Sequence, residues 1–283
     1  MTMNPTDAAI ATTRLNLVRG DANILKSITL DIPAGSVVGL VGRNGAGKSS
    51  LLRCLAGLIE LSSGSASLLG CPSSNMTDAA RERLGYVAQT PDLFNWMRAD
   101  EMLAAIGSAY PRWSEARVKE LAGRLDLRID RKVSELSGGD QQKLAVILAL
   151  AHDPALLLLD EPVASLDPLT RREFMRALFG AEGDDTERER TILISSHILT
   201  DLERVVSHVA FMRDGAIQLF EAWDTLLEYF RLQPANAPGI PQEAVVSTNK
   251  HTGDRIADMR RAAPGASEGR TLSLDELFVE LNA

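Results

Sequence analysis

Cysteine is scarce in this chain. Two residues in 283, Cys54 and Cys71, supply neither a disulfide framework nor a cysteine-built metal cluster, and they suit a reducing compartment. Long apolar runs are missing too: the longest, Leu144 to Ala151, ends at His152-Asp153-Pro154, far short of the ~20 residues that cross a bilayer. The first residues, MTMNPTDAAIATTRLNLV, lack a basic segment followed by an apolar one, so no secretory signal is expected. There is no surplus of positive charge. Thirty Lys and Arg stand against 38 Asp and Glu, a net charge of −8, which argues against a nucleic-acid partner. Internal repeats and heptads are likewise absent.

What remains is ordinary globular usage, 45% apolar and 24% charged. At a prior of roughly 150 residues per domain, the length allows one large core and a smaller appendage. Short β-branched runs alternate with helical patterns, the mark of parallel α/β units. Strands are predicted at Leu15–Val18, Ile24–Asp31, Val37–Val41, Leu84–Ala88, Leu156–Leu159 and Thr191–Ser195. Three of them (VVGLV, LLLL, TILIS) are apolar without alternation, as in strands covered on both faces. Asp214-Gly215 between two apolar runs predicts a late antiparallel hairpin. Helices are predicted at Lys48–Leu58, Met102–Tyr110, Ser114–Leu125, Gly139–Ala151, Thr170–Phe179 and Leu199–Ser207, with Ser114 as an N-cap. GAEGDDTERER, before Thr191, reads as a solvated loop. Near Gln233 the composition changes. A proline-rich bridge leads to a strand-like EAVVST and a second linker, then to SLDELFVEL, where Ser273 and Glu276 form a capping box ahead of Leu277, Phe278 and Leu281.

The sharpest local feature is Gly42-Arg43-Asn44-Gly45-Ala46-Gly47-Lys48-Ser49, followed by Ser50. It matches G-x-x-x-x-G-K-[ST] and lies between an apolar strand and a helix, the context that motif requires. Its glycines let backbone N–H groups converge on an anion, and the helix N-terminus adds its dipole. Lys48 can reach the β- and γ-phosphates, and Ser49 can ligate Mg²⁺. Far along the chain LLLLDE ends another apolar strand at Asp160 and Glu161. Strand ends of a parallel sheet share one edge, which brings both carboxylates near the phosphate loop. There Asp160 would help hold Mg²⁺ and Glu161 would orient the attacking water. Between them, Ser137-Gly138-Gly139 precedes a long helix and makes a second exposed helix N-terminus. Two such sites about ninety residues apart suggest an ATP shared between two subunits.

The order and spacing of GRNGAGKS, Gln89, LSGGD, LLLLDEP, Ser165-Leu166-Asp167 and Ser196-His197 resembles the nucleotide-binding subunit of ABC transporters across residues 12–232. The resemblance implies an α/β fold: a P-loop ATPase core with a mixed β-sheet in a domain at 1–232, with a helical lobe at about 91–152; the composition change near Gln233 sets 234–283 apart as a small C-terminal subdomain. It implies that Gln89 couples Mg²⁺ and water to that lobe, that His197 contacts the γ-phosphate beside catalytic Lys48 and Glu161, and that Asp167 works across a dimer interface. SSHILTDLERV and SLDELFVEL further resemble single-cassette exporter subunits, whose membrane helices belong to separate permease chains. Cofactors are then ATP and Mg²⁺. Partners are the ABC permease and a second ATPase subunit, identical or not, with no nucleic acid, and the location is the cytoplasmic face of the inner membrane through the permease. A soluble repair or translation ATPase, and a slowly turning regulatory subunit, stand as alternatives.

Three positions depart from the family pattern. Arg19 stands where an adenine-stacking aromatic is expected, and can either stack on the base or face solvent. Asp140 replaces the usual glutamine after Ser-Gly-Gly, and Ser165 stands where glycine is frequent. Phe94 and Trp96 can form a socket for a permease helix or pack inside the helical lobe; Trp113 reads as packing.

Overall fold

The computed structural model describes residues 8–164, 166–179, 190–196 and 202–282. Strands β1 (Ala8–Arg19) and β2 (Ala22–Pro33) are long antiparallel partners. They form one sheet with β4 (Ser63–Leu68) and β5 (Cys71–Pro72), in the order β2-β1-β4-β5. The second sheet has six strands: β3 (Val37–Val41), β6 (Leu84–Val87), β7 (Leu156–Asp160), β8 (Thr191–Ser196), β9 (His208–Arg213) and β10 (Ala216–Ala222). Its order is β10-β9-β3-β8-β7-β6, all parallel except the antiparallel edge strand β10.

The three unalternating strands are the central ones, as covering on both faces demands. All residues of β7 and β8 are buried, and all of β3 but the half-buried Val37. Alternate side chains of one strand enter two different cores. Val38, Leu40, Leu156, Leu158 and Leu193 join a cluster with α1 (Lys48–Leu55), α2 (Asp78–Arg81) and the antiparallel sheet. Leu157, Leu159, Ile192 and Ile194 join a larger one with the helical lobe and α6 (Pro168–Phe179).

The helical lobe comprises α3 (Ala99–Gly107), α4 (Glu115–Arg124) and α5 (Gly138–Leu150). Ser114 caps α4, accepting from Arg117 N at 3.2 Å, and Trp113 is packed flush against Gly107. The expected helix at 199–207 is not found where it can be seen: residues 202–205 are turn, and 199–201 lie outside the described residues, as do 180–189 of the charged loop.

The hairpin turn is as foreseen. Asp214 (φ 49°) and Gly215 (φ 83°) are both left-handed, the type I′ geometry that matches strand twist. After α7 (Trp223–Tyr229), strands β11 (Phe230–Gln233), β12 (Val245–Thr248) and β13 (Arg255–Asp258) make a small antiparallel sheet, and α8 (Leu274–Asn282) follows. The Ser273–Glu276 capping box is present in both directions. Leu274, Leu277 and Leu281 of α8 join the larger core, beside Val209, Phe211 and Trp223. Two hydrogen bonds reinforce the seam: Leu274 N donates to Glu203, and Arg213 donates to Leu281 O. Residues of α8 thus form part of the larger core.

Candidate active site

The phosphate loop leaves β3 at the C-terminal edge of the large sheet and enters α1 at Lys48. Gly47 has a left-handed backbone (φ 105°), which favours glycine, and a Cβ there would press on Met212 Cε at 2.9 Å and Leu25 Cδ2 at 3.0 Å. The loop is braced from beneath: Gly215 N of the β9–β10 turn donates to Ala46 O at 3.0 Å, and Lys26 N of β2 donates to Gly215 O at 2.8 Å. Arg43, Asn44 and Gly45 are exposed at its rim, with Ser49 and Ser50 half-buried behind them.

Four of the residues singled out in the sequence converge here. Lys48 Nζ donates to Gly42 O at 2.7 Å and lies 3.7 Å from Glu161 Oε1; both side chains are nearly buried, at 7% and 6% exposure. Ser49 Oγ donates to Asp160 Oδ1 at 3.0 Å. Ser195, at the end of β8, donates to the same oxygen at 2.8 Å. Ser195 also accepts from Glu161 N at 2.9 Å, so one hydroxyl positions both carboxylate residues. Glu161 itself has a left-handed backbone (φ 48°), an uncommon conformation for a non-glycine residue. The sequence reading missed Ser195. Its signal was a hydroxyl closing an otherwise apolar strand.

Asp160 Oδ2 is buried and has no hydrogen-bond partner. A carboxylate oxygen with idle lone pairs, next to the Ser49 hydroxyl, suits a hard octahedral cation that takes its remaining oxygens from phosphate and water. Among the described residues no group of three or more His, Cys, Asp or Glu could hold a metal without such help.

Gln89 is exposed just after β6, and Gln142 of α5, buried and overlooked in the sequence, donates to the neighbouring Ala88 O at 3.3 Å. Arg19 is exposed at the end of β1. It is close enough to α1 to oppose the effect of burial on the Cys54 thiol, which is pushed up to about 11. Asp167 is exposed and accepts from Leu169 N and Thr170 N, capping α6; a hydrogen bond from the Thr170 side chain first, and these backbone bonds after it, hold its carboxyl below the ordinary range. Ser137, Gly138 and Gly139 begin α5 on the helical lobe. Among the described residues no hydrogen bond joins them to the chain's own phosphate loop. His197 and Ser165 lie outside the described residues.

Phe94 and Trp96 do not pack inside the lobe. They are 50% and 76% exposed, with ring centroids 6.1 Å apart, while their neighbours Leu93 and Met97 turn inward. No helix among the described residues is long and apolar enough to cross a membrane.

Comparison with known proteins agrees with this geometry. Residues 25–164 match the family described as "ABC transporter". The chain is 28% identical to the ABC transporter ATP-binding protein YtrB of Bacillus subtilis (strain 168), over 90% of its own length and 92% of that protein. It is 36% identical to the lipoprotein-releasing system ATP-binding protein LolD 2 of Caulobacter vibrioides, over 71% of its length and 90% of that protein. Among solved structures it resembles the ATP-binding cassette MJ0796, in a dimeric post-hydrolysis state bound to ADP and Pi. The TM-score is 0.66, covering 76% of this chain and 98% of that one. At 22% identity that likeness is one of fold.

Proposed function

Because this chain belongs to the ABC transporter ATP-binding proteins, we propose that it is the ATP-hydrolysing motor of an exporter, working as a dimer beneath separate permease subunits. ATP binding and hydrolysis follow from membership of that family; export, the dimer and the partners are our reading. The observation that carries it is the cluster of Lys48, Ser49, Asp160 and Glu161 on one sheet edge, tied together by Ser195.

In this reading the N–H groups of Gly42–Ser49, with Arg43 and Asn44 at the rim and Ser50 behind them, cradle the triphosphate, and Lys48 turns from Glu161 to the β- and γ-phosphates. Ser49, Asp160 and Gln89 would hold Mg²⁺, which when bound neutralises charge building on the phosphate oxygens. Glu161 accepts a hydrogen bond from the attacking water and aims its oxygen at the γ-phosphorus. The water oxygen bonds to that phosphorus as its bond to the bridging β–γ oxygen breaks, the water's proton passes to solvent by way of the new phosphate, and ADP and phosphate leave. Ser137, Gly138 and Gly139 of a second subunit cap the γ-phosphate from the other side, with Asp167 at the seam and His197 as a further contact. Arg19 lies against adenine, and residues 234–283 form a small C-terminal subdomain seated on the ATPase core.

The exposed pair Phe94 and Trp96 is where a permease helix docks; desolvated aromatics anchor such contacts. Docking of this kind puts the chain at the cytoplasmic face of the membrane, held there by its partner. Export is supported by the resemblance of SSHILTDLERV and SLDELFVEL to single-cassette exporter subunits. The test is isolation of the chain from membranes with mild detergent, before and after Trp96→Ala, together with steady-state ATPase assay. Retention of a polytopic partner by the parent and its loss from the variant, with ATPase still measurable, is the expected result. Recovery only with ribosomes or DNA would sink the proposal.

A further inference from the structure

Ser137 is the N-cap of α5, and its hydroxyl is already engaged. Oγ accepts from Asp140 N at 3.1 Å and donates to Asp140 Oδ2 at 2.9 Å. The other carboxylate oxygen, Oδ1, accepts from Lys143 Nζ at 2.9 Å, one helical turn on. Lys143 is 12% exposed and Asp140 34%, so water screens this pair less than it screens an ordinary surface pair. Burial works to raise the Asp140 carboxyl, but hydrogen bonds from Lys143 and Ser137 outweigh it and hold the group below the usual range. The carboxylate is thus charged, paired and one hydrogen bond from Ser137.

A phosphate oxygen is an acceptor. Ser137 can cap one only by swinging its proton away from Asp140. An unpaired carboxylate at that spot would also repel an approaching triphosphate.

We propose that Asp140 and Lys143 together set how readily Ser137 reaches a γ-phosphate bound by a second subunit. Asp140 competes with the phosphate for the Ser137 hydroxyl, while Lys143 neutralises Asp140 so that the phosphate can approach. The inference rests on the shared-site reading above. Lys143 is a positioning residue that acts through Asp140 and makes no contact with nucleotide. Its removal and the removal of Asp140 have opposite signs: loss of Lys143 bares the carboxylate, and loss of the carboxylate frees the hydroxyl.

The experiment is a double-mutant cycle on ATP-driven dimerisation, read by sedimentation in a Glu161→Gln background that does not consume its nucleotide. Lys143→Met is expected to weaken the Mg-ATP dimer about tenfold or more, and Asp140→Asn to tighten it or leave it unchanged. In the double variant the Lys143→Met loss should largely disappear, and Lys143→Arg should dimerise like the parent. Binding of a fluorescent ATP analogue to the single chain should stay within about twofold throughout. If Lys143→Met does not fold, Lys143→Gln serves for the same comparison. Equal losses from Lys143→Met with and without Asp140 would assign the lysine to packing by its aliphatic stem and overturn this inference alone. A Glu161→Gln chain that stays monomeric with Mg-ATP would overturn the shared site and this inference with it.

Discussion

Lys48 and Glu161 face each other 3.7 Å apart, both side chains nearly buried. The lysine that is to receive phosphate is therefore already partnered by the carboxylate that is to receive water. Charge on the nucleotide must displace that pairing before either group is set for chemistry.

Glu161→Gln removes the competitor while leaving Lys48 bonded to Gly42 O. ATP affinity should hold or rise, whereas hydrolysis should fall about 10²- to 10⁴-fold, the usual worth of a positioned acid–base group. Equilibrium nucleotide binding and single-turnover hydrolysis, measured on the same preparation, separate the two effects. A variant that loses both equally would leave Glu161 with no special place in the reaction.

Asp160→Asn should cut the Mg²⁺-dependent part of ATP binding by about tenfold or more, because it alters a buried carboxylate whose second oxygen lacks a partner. Titration of ATP with Mg²⁺ and with EDTA reads this directly. In the parent chain EDTA should weaken binding, and in the variant it should change little.

Two histidines should give the protein an acid-sensitive limb. Burial first, with Arg112 and Arg190 after it, lowers the His152 pKa against the opposing carbonyls of Leu84 and Leu148; burial likewise lowers His208, which is stacked on Phe220. Both rings stay neutral in the folded chain at pH values where the unfolded chain has taken up protons. Stability is therefore at its full value above about pH 6.5, the unfolded value, and is lost as pH falls toward the lowered folded values. Urea unfolding between pH 8 and pH 5 should show the decline, and His152→Gln should flatten it.

The tail should matter to stability. Leu277 is 2% exposed in the larger core, so Leu277→Ala should cost about 2–5 kcal/mol. Removing everything after Gln233 bares the same core beside Val209 and Phe211 and should lower the melting temperature or cause aggregation. A truncated chain that melts like the full one would show that α8 contributes nothing to the core.

Much of this site could be read from residue order alone, because a phosphate loop, a strand-end Asp-Glu and a Ser-Gly-Gly helix start are local patterns. The central strands were equally plain, since burial on both faces leaves uninterrupted apolar runs such as LLLL. Several strands of the antiparallel sheets were not. β4 is SGSASL, half of it exposed and half of it serine, and is held as a strand by pairing with β1, about fifty residues earlier. β11 and β13 depend on each other in the same way. Partnerships set by distant chain segments were also hidden: Ser195 with Asp160, Gln142 with Ala88 O, and Glu203 with the start of α8. Lys143 lay one helical turn from Asp140, but only its burial and its aim distinguish it from a solvated lysine.

The Asp214-Gly215 turn has a bearing on design. Eight residues look like a portable cassette that could be grafted onto any strand–helix junction. Here, however, Ala46 O takes its hydrogen bond from Gly215 N, and Gly215 O takes one from Lys26 N. A side chain at 215 would strike Ile24 O at 2.3 Å. The smallest transplantable module is thus three discontinuous pieces, the loop with residues 24–26 and 214–215, and a graft of Gly42–Ser49 alone would carry the letters across without their scaffold.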